Sequence, residues 1–397
     1  MNYAPNMKSG AHSERVAHTE KHPAPGVLVK LLESTGVTFN GDSPWDIQIH
    51  DQEVYRRILS QGSLGFGEAY VEGLWDCQRL DEMFSRLLRV DIDRKIHGML
   101  RLRLLFSAVE NYFLHKYVNL QSKRHAYDVA LRHYDIGSDV YETMLDSGMN
   151  YSCGYWPTAT TLEQAQYDKL DLVCKKLELK SGEKVLDIGC GWGGFARFAA
   201  EHYGVEVTGI TISKAQCQLA RDRCRDLPVD IRLMDYRNLQ GTFDKVVSIG
   251  MFEHVGAKNY QHYFRVVERV MAPEGLFLLH TIGDYSTANV TDPWINKYIF
   301  PNGQLPSAAR IAKVIEPDLI IRDWHNFAAD YDRTLAAWWS NFNNAWPELK
   351  NHYDQHFYRM WKYYLHSCMG LFRSGQGQLW QIVFSRRGAR PDYRSLR

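Results

Sequence analysis

Residues Val185–Gly194 read VLDIGCGWGG. Gly189, Gly191 and Gly194 complete a G-x-G-x-x-G spacing, which lets a backbone approach a ligand closely but does not by itself say which one. The flanking sequence narrows the choice. The apolar run KVLDIGC precedes the loop and the helical pattern GFARFAAEHYG follows it. The alternation continues through VEVTGITI, SKAQCQLARDRCRDL, VDIRLMD, FDKVVSIGM, NYQHYFRVVERVM and GLFLLHTIG. Five apolar strands separated by helices predict an α/β fold with a parallel, doubly wound sheet. LIIRDWHNF and QLWQIVFSR are two further strand candidates, separated by a long helical region around LAAWWSNFNNAWPEL. Ligands of such sheets bind at the carboxyl ends of the strands. A dinucleotide would call for an acid at the end of the second strand. This chain has Thr211 and Ser213 there, and places an acid, Asp187, at the end of the first strand.

Composition sets wider bounds. With 397 residues the chain exceeds the usual size of one core, so two domains are expected. The net charge of +1 gives no global attraction to nucleic acid, and none is expected as a partner. Seven cysteines form no C-x-x-C pair, which argues against a zinc site or a disulfide framework and for a reducing, cytoplasmic setting. Cys217 and Cys224, seven apart, are expected on one helix face. No metal is expected, no signal peptide is visible, and no run has the length of a spanning helix.

Residues 1–26 are polar with Gly and Pro and read as a disordered tail. Residues 27–120 read as a smaller α+β domain with a linker helix, and 121–390 as the doubly wound domain. In the smaller domain VLVKLLESTGV, EVYRRILSQG and LDEMFSRLLRV are helical, WDIQIHD is a strand, and GSLGFGEAYVEGLWDC is turn-rich and aromatic. The segment RLRLLFSAVENYFLHKYV carries apolar bulk between Arg101, Arg103, His115 and Lys116. It fits either a packing helix or one lying on a membrane surface.

An Asp followed by I-G-C-G-x-G resembles the first motif of class I S-adenosylmethionine-dependent methyltransferases. The third strand ends LMDYRNL, which puts Asp235 and Tyr236 in place for an adenine amino group and ring. More specific words follow in order: HYDIGSDVYETML, MNYSCGYW, GITISKAQ, SIGMFEHVG, LFLLHTIG, DPWINKYIFPNG and DWHNFAADYDRTL. Together with GSLGFGEAYVEGLWDC they look like the cyclopropane-fatty-acyl-phospholipid synthase family from about residue 27 to 386. That resemblance implies methylene transfer from S-adenosyl-L-methionine to a cis double bond of a phospholipid acyl chain, with a bound bicarbonate as base. It also implies a homodimer peripherally associated with the inner face of the membrane.

Carried over position by position, the bicarbonate cradle falls on Cys153, Glu253, His280, Ile282 and Tyr331. The cofactor positions are Tyr151 and Ser152 at the methionine end, Asp187, Gly189, Gly191 and Gly193 in the loop, Thr211 and Gln216 at the ribose, and Asp235 and Tyr236 at the adenine. Cys368 matches a cysteine once considered catalytic in the family. No basic or helix-N-terminal setting for a thiolate is evident, so it reads as pocket-lining. Residue type alone would make Cys153 and Ile282 core and Tyr331 a structural hydrogen bonder. Glu253 and His280 at strand ends fit function better than a solvated surface or a plain core. Trp294, Lys297, Tyr298, Ile299 and Phe300 form an aromatic set with one cation, suited to a bilayer interface or to a lid over the cofactor. Rival readings are another C- or N-methyltransferase of the superfamily, or a lipid-binding module with a vestigial catalytic fold.

Overall fold

A computed structural model describes residues 23–90, 137–287, 291–316 and 318–397. Most of the expected polar tail, the helix at 101–118 and the boundary near residue 120 lie outside these residues.

The N-terminal part holds α1 (Gly26–Leu32), α2 (Glu53–Gln61), α3 (Ser63–Val71) and α4 (Leu80–Arg89), with an antiparallel pair β1 (Gln48–Ile49) and β2 (Trp75–Asp76). The stretch expected to be turn-rich is therefore partly the helix α3. Its glycines read as turns, but they sit in a helix because no side chain fits there. A Cβ on Gly65 would lie 2.5 Å from the Arg57 carbonyl oxygen, and one on Gly67 would lie 2.4 Å from Trp294 Cδ1.

The remainder contains α5 (Ser138–Met144), α6 (Leu162–Lys176), β3 (Lys184–Ile188), α7 (Gly194–Tyr203), β4 (Glu206–Thr211), α8 (Lys214–Arg223), β5 (Val229–Leu233), β6 (Phe243–Ile249), α9 (Tyr260–Val270) and β7 (Met271–Asp284). It continues through α10 (Pro293–Tyr298), α11 (Ala308–Ile315), β8 (Leu319–Asn326), α12 (Ala329–Leu349), α13 (Gln355–Arg373) and β9 (Gly377–Arg386). Seven strands form one sheet in the order β5-β4-β3-β6-β7-β9-β8. Strands β3 to β7 are parallel, whereas β9 runs antiparallel to both β7 and β8. The order reverses between β3 and β6, so the crevice at their carboxyl ends is the expected ligand position. Capping fits the sequence. Thr161 accepts from Gln164 N at the start of α6, and Ser213 accepts from Gln216 N at the start of α8.

An apolar core runs unbroken from Trp75, Leu80 and Met83 into Trp338, Trp361 and Leu365 of α12 and α13. At this seam Gly370 lets α4 approach α13, where an added Cβ would lie 2.3 Å from Phe84 Cβ. An ionic cluster reinforces the contact. Arg373 of α13 binds Asp81 of α4 at 2.5 Å and Asp332 of α12 at 2.9 Å. Burial pushes the Asp81 carboxyl up, but hydrogen bonds from Arg79 and Arg373 outweigh it and hold the group well below the usual carboxylate range. A depressed carboxyl stabilises the fold above its unfolded pKa and stops doing so as pH falls through its folded value. The stability lost on Asp81→Asn should therefore be full at neutral pH and shrink below about pH 4 in denaturant titrations. A difference that grew with acid would contradict this.

Candidate active site

Parallel strands bring their carboxyl ends to one edge, and a cavity of about 400 Å³ opens there. Its wall includes Tyr151, Ser152, Asp187, Gly189, Gly191, Gln216, Glu253, His280, Ile282, Tyr331 and Cys368. Eleven of the sixteen expected site positions thus share one cavity, although they come from elements more than two hundred residues apart.

The polar half is built on the glycine loop. Gly189 N and Cys190 N both bond Ile210 O of β4 at 2.9 Å, which folds the loop over the strand ends. Gly191 has φ +54° and nothing within 4 Å of an added Cβ, so the backbone there faces open space. Asp187 is buried, its Oδ2 lacks a hydrogen-bond partner among the described residues, and burial pushes its carboxyl up to about 7 against the opposing field of Lys169. A buried carboxylate oxygen without a partner fits a ligand that brings a donor or a positive charge. On this test the orphaned acceptor fits the ammonium of an amino-acid group such as the one S-adenosylmethionine carries.

The second cluster lies at the ends of β6 and β7. Glu253 Oε1 accepts from Ile282 N at 2.7 Å, while Oε2 is buried with no hydrogen-bond partner among the described residues. Burial raises the Glu253 carboxyl, with backbone hydrogen bonds opposing. His280 pairs across the sheet with Gln381 of β9, whose Nε2 lies 3.4 Å from His280 Nδ1. His280 Nε2 is buried with no hydrogen-bond partner among the described residues. Burial, then the nearby Lys169 and Lys176 charges, depress the imidazole well below its ordinary value, so it is neutral. Gln381 donating to Nδ1 leaves the proton on Nε2. One acceptor and one donor, both orphaned, are what a small oxyanion carrying its own hydroxyl requires, so these residues fit bicarbonate. Tyr331, also buried, stacks on Phe372 at 4.5 Å. Burial raises the Cys368 thiol to about 12, so it stays protonated, and its place in the wall agrees with a lining role.

Five expected positions do not line this cavity. Cys153 is fully buried with its Sγ 3.8 Å from Thr334 Oγ1, and at Ile282, the other expected cradle position of this kind, the backbone N–H is taken by Glu253. Gly193 caps α7, where a Cβ would press on Ala220 at 3.2 Å. Thr211 Oγ1 donates to Gln216 Oε1 at 3.0 Å and reaches the cavity only through it. Asp235 accepts from Arg237 N at 2.9 Å and from its guanidinium at 3.2 Å, and Tyr236 packs in the core 5.2 Å from Tyr263.

Of the two readings of the aromatic set, the structure gives this segment the place of a lid. Trp294 and Ile299 are buried, and Trp294 fills the notch at Gly67 of α3. Lys297 Nζ and Tyr298 Oη both reach Glu68 Oε1 of α3, at 2.6 and 2.8 Å. The segment instead closes the cavity with Asp292, Ile295, Phe300 and Leu305, and Gln304 N bonds Glu253 O at 2.8 Å. Ile295, Phe300 and Leu305 together with Leu371, Phe372 and Leu379 give the cavity a largely apolar wall on this side. Sequence reading missed Lys169, Trp192, His254 and Tyr364, which also line it.

A doubly wound sheet with an Asp-anchored glycine loop at its switch point defines a class I S-adenosylmethionine-dependent methyltransferase. Comparisons with known proteins narrow the class. The family described as mycolic acid cyclopropane synthetase matches residues 121–382. The cyclopropane-fatty-acyl-phospholipid synthase of Escherichia coli strain K12 is 50% identical over 357 residues, which covers 90% of this chain and 92% of that protein. Among solved structures, the cyclopropane synthase MmaA2 from Mycobacterium tuberculosis superposes with a TM-score of 0.62 at 29% identity, covering 65% of this chain and 97% of that one. The mycolic acid cyclopropane synthase CmaA1 complexed with SAH and CTAB gives 0.61 at 28%, covering 66% and 98%. The chain belongs to the cyclopropane synthetase family of methyltransferases.

Proposed function

We propose that this enzyme transfers a methylene from S-adenosylmethionine to the cis double bond of unsaturated phospholipid acyl chains, forming cyclopropane fatty acids. The observation that carries the reading is a single cavity lined by the glycine loop, by apolar side chains of the roof, and by Glu253 and His280. The extent of identity to the Escherichia coli phospholipid synthase supports a phospholipid as substrate.

When bound, S-adenosylmethionine supplies an activated methyl group to the double bond. Tyr151, Ser152, Asp187, Gly189 and Gly191 are placed to hold its methionine end and Gln216 its ribose, with Asp235 and Tyr236 at the far strand ends as the expected adenine positions. The apolar walls hold the acyl chain and exclude water, which an alkyl cation formed by attack on an olefin would otherwise capture. Aromatic faces at Tyr331, Phe372, Phe300 and Tyr364 stabilise such a cation. Ring closure needs loss of a proton from the transferred carbon, hence a buried base. Glu253 Oε2 and His280 Nε2 would hold a bicarbonate there, with the Tyr331 hydroxyl as a further donor, and the anion would supply that base.

An acyl chain lies within a bilayer, so the same reading calls for peripheral contact with the membrane, and the family resemblance adds a homodimer at its inner face. Among the described residues no helix is long and apolar enough to cross a membrane. Incubation with unsaturated phospholipid vesicles and methyl-labelled S-adenosylmethionine, followed by fatty-acid chromatography, is expected to place the label in cyclopropane fatty acids. Label confined to non-cyclic methyl products, or absent from lipid, would overturn the reading in favour of another methyltransferase or a lipid-binding module.

A further inference from the structure

Helix α6 buries two lysines, and they differ in one respect. Lys176 lies 3.0 Å from Asp323 Oδ2, with both side chains sealed from solvent. Lys169 is just as buried, yet among the described residues no carboxylate lies within ion-pair distance of it. Its one hydrogen bond runs from Nζ to Ser152 Oγ at 3.0 Å, and its other two N–H groups have no partner among the described residues. Asp146 and Asp187 act on it only at longer range. A buried ammonium without a counter-charge is costly, and such groups persist where a ligand completes them. Lys169 lines the cavity beside Ser152, Asp187 and Gly189.

We propose that Lys169 is the receptor for the carboxylate at the amino-acid end of the cofactor, acting directly and through the Ser152 hydroxyl. Because Ser152 Oγ accepts from Lys169, its own hydrogen is free to donate towards the cavity. Lys169 and Asp187 then form an electrostatic pair of opposite sign that reads a zwitterion, the ammonium at the acid and the carboxylate at the lysine. Neither the adenosine portion nor the acyl substrate carries that pattern. The inference rests on the proposed use of S-adenosylmethionine and names the residue that recognises one end of it.

Calorimetric titration tests this with two ligands. S-adenosylhomocysteine carries the amino-acid end, whereas 5′-methylthioadenosine lacks it. Lys169→Met should weaken S-adenosylhomocysteine by about 10- to 100-fold, the effect of losing a charged hydrogen bond, and 5′-methylthioadenosine by less than about twofold. Lys169→Arg should recover part of the loss. Ser152→Ala, a smaller change at the same place, should show the same ligand selectivity with a smaller effect, and it keeps the test open should Lys169→Met not fold. Equal weakening of both ligands in folded variants, or none, overturns the role of Lys169. Failure of the native protein to bind S-adenosylhomocysteine would instead overturn the cofactor reading itself.

Discussion

Glu253→Gln is expected to lower turnover by about 100- to 10,000-fold while S-adenosylhomocysteine affinity stays within about threefold of the native protein. The substitution keeps the shape and keeps an oxygen that can accept from Ile282 N. What it removes is the buried acceptor Oε2, replaced by an NH₂ that donates. A bicarbonate hydroxyl would then meet a donor instead of an acceptor, and proton removal would lose its anchor. Burial raises the Glu253 carboxyl, so the native enzyme takes up a proton there as pH falls and turnover should decline on the acid side. The glutamine variant should lack that acid limb. Unchanged turnover, or loss of cofactor binding in proportion to activity, would remove Glu253 from the chemistry.

Trp294→Ala should cost about 3–5 kcal/mol of stability, as for other large buried aromatics. The indole is sealed between α3 and α13, with ring centroids 4.5 Å from Tyr363 and 5.3 Å from Tyr298. Nothing nearby can collapse into the space easily, because the opposing wall is the backbone at Gly67. Gly67→Val attacks the same joint by overpacking and should be destabilising too. Since α10 belongs to the segment that closes the cavity, activity on vesicles should fall in both variants. Denaturant unfolding that leaves both within about 1 kcal/mol of the native protein, a range typical of surface changes, would show that the joint does not hold the roof.

The parts of this site legible in the sequence are those fixed by local pattern. Asp187 sits near the end of β3 with the glycine loop after it, Glu253 follows β6 and His280 lies in the carboxyl-terminal part of β7, so the parallel arrangement carries them to one edge. The parts that escaped depend on distant partners. Gly65 and Gly67 look like turn residues until Arg57 and Trp294 explain why a helix needs them bare. The segment with Trp294 and Lys297 could be read as a bilayer interface or a lid because its partner, α3, lies more than two hundred residues earlier. Strand β9 inserts between β7 and β8, an order no local signal specifies. Lys169 had a readable sign that was passed over. Ala165, Lys169, Val173 and Lys176 fall at helical spacing on the buried face of α6, where a lysine is out of place unless something pairs with it.

The most direct test of the account is the fate of the transferred hydrogens. Unsaturated phospholipid vesicles would be incubated with S-adenosylmethionine bearing a trideuteriomethyl group, and the fatty acids examined by mass spectrometry and proton NMR. The account predicts that two of the three deuterium atoms are retained, on a ring carbon showing cyclopropane resonances, because the third leaves when the ring closes. A non-cyclic product that retains all three would contradict it.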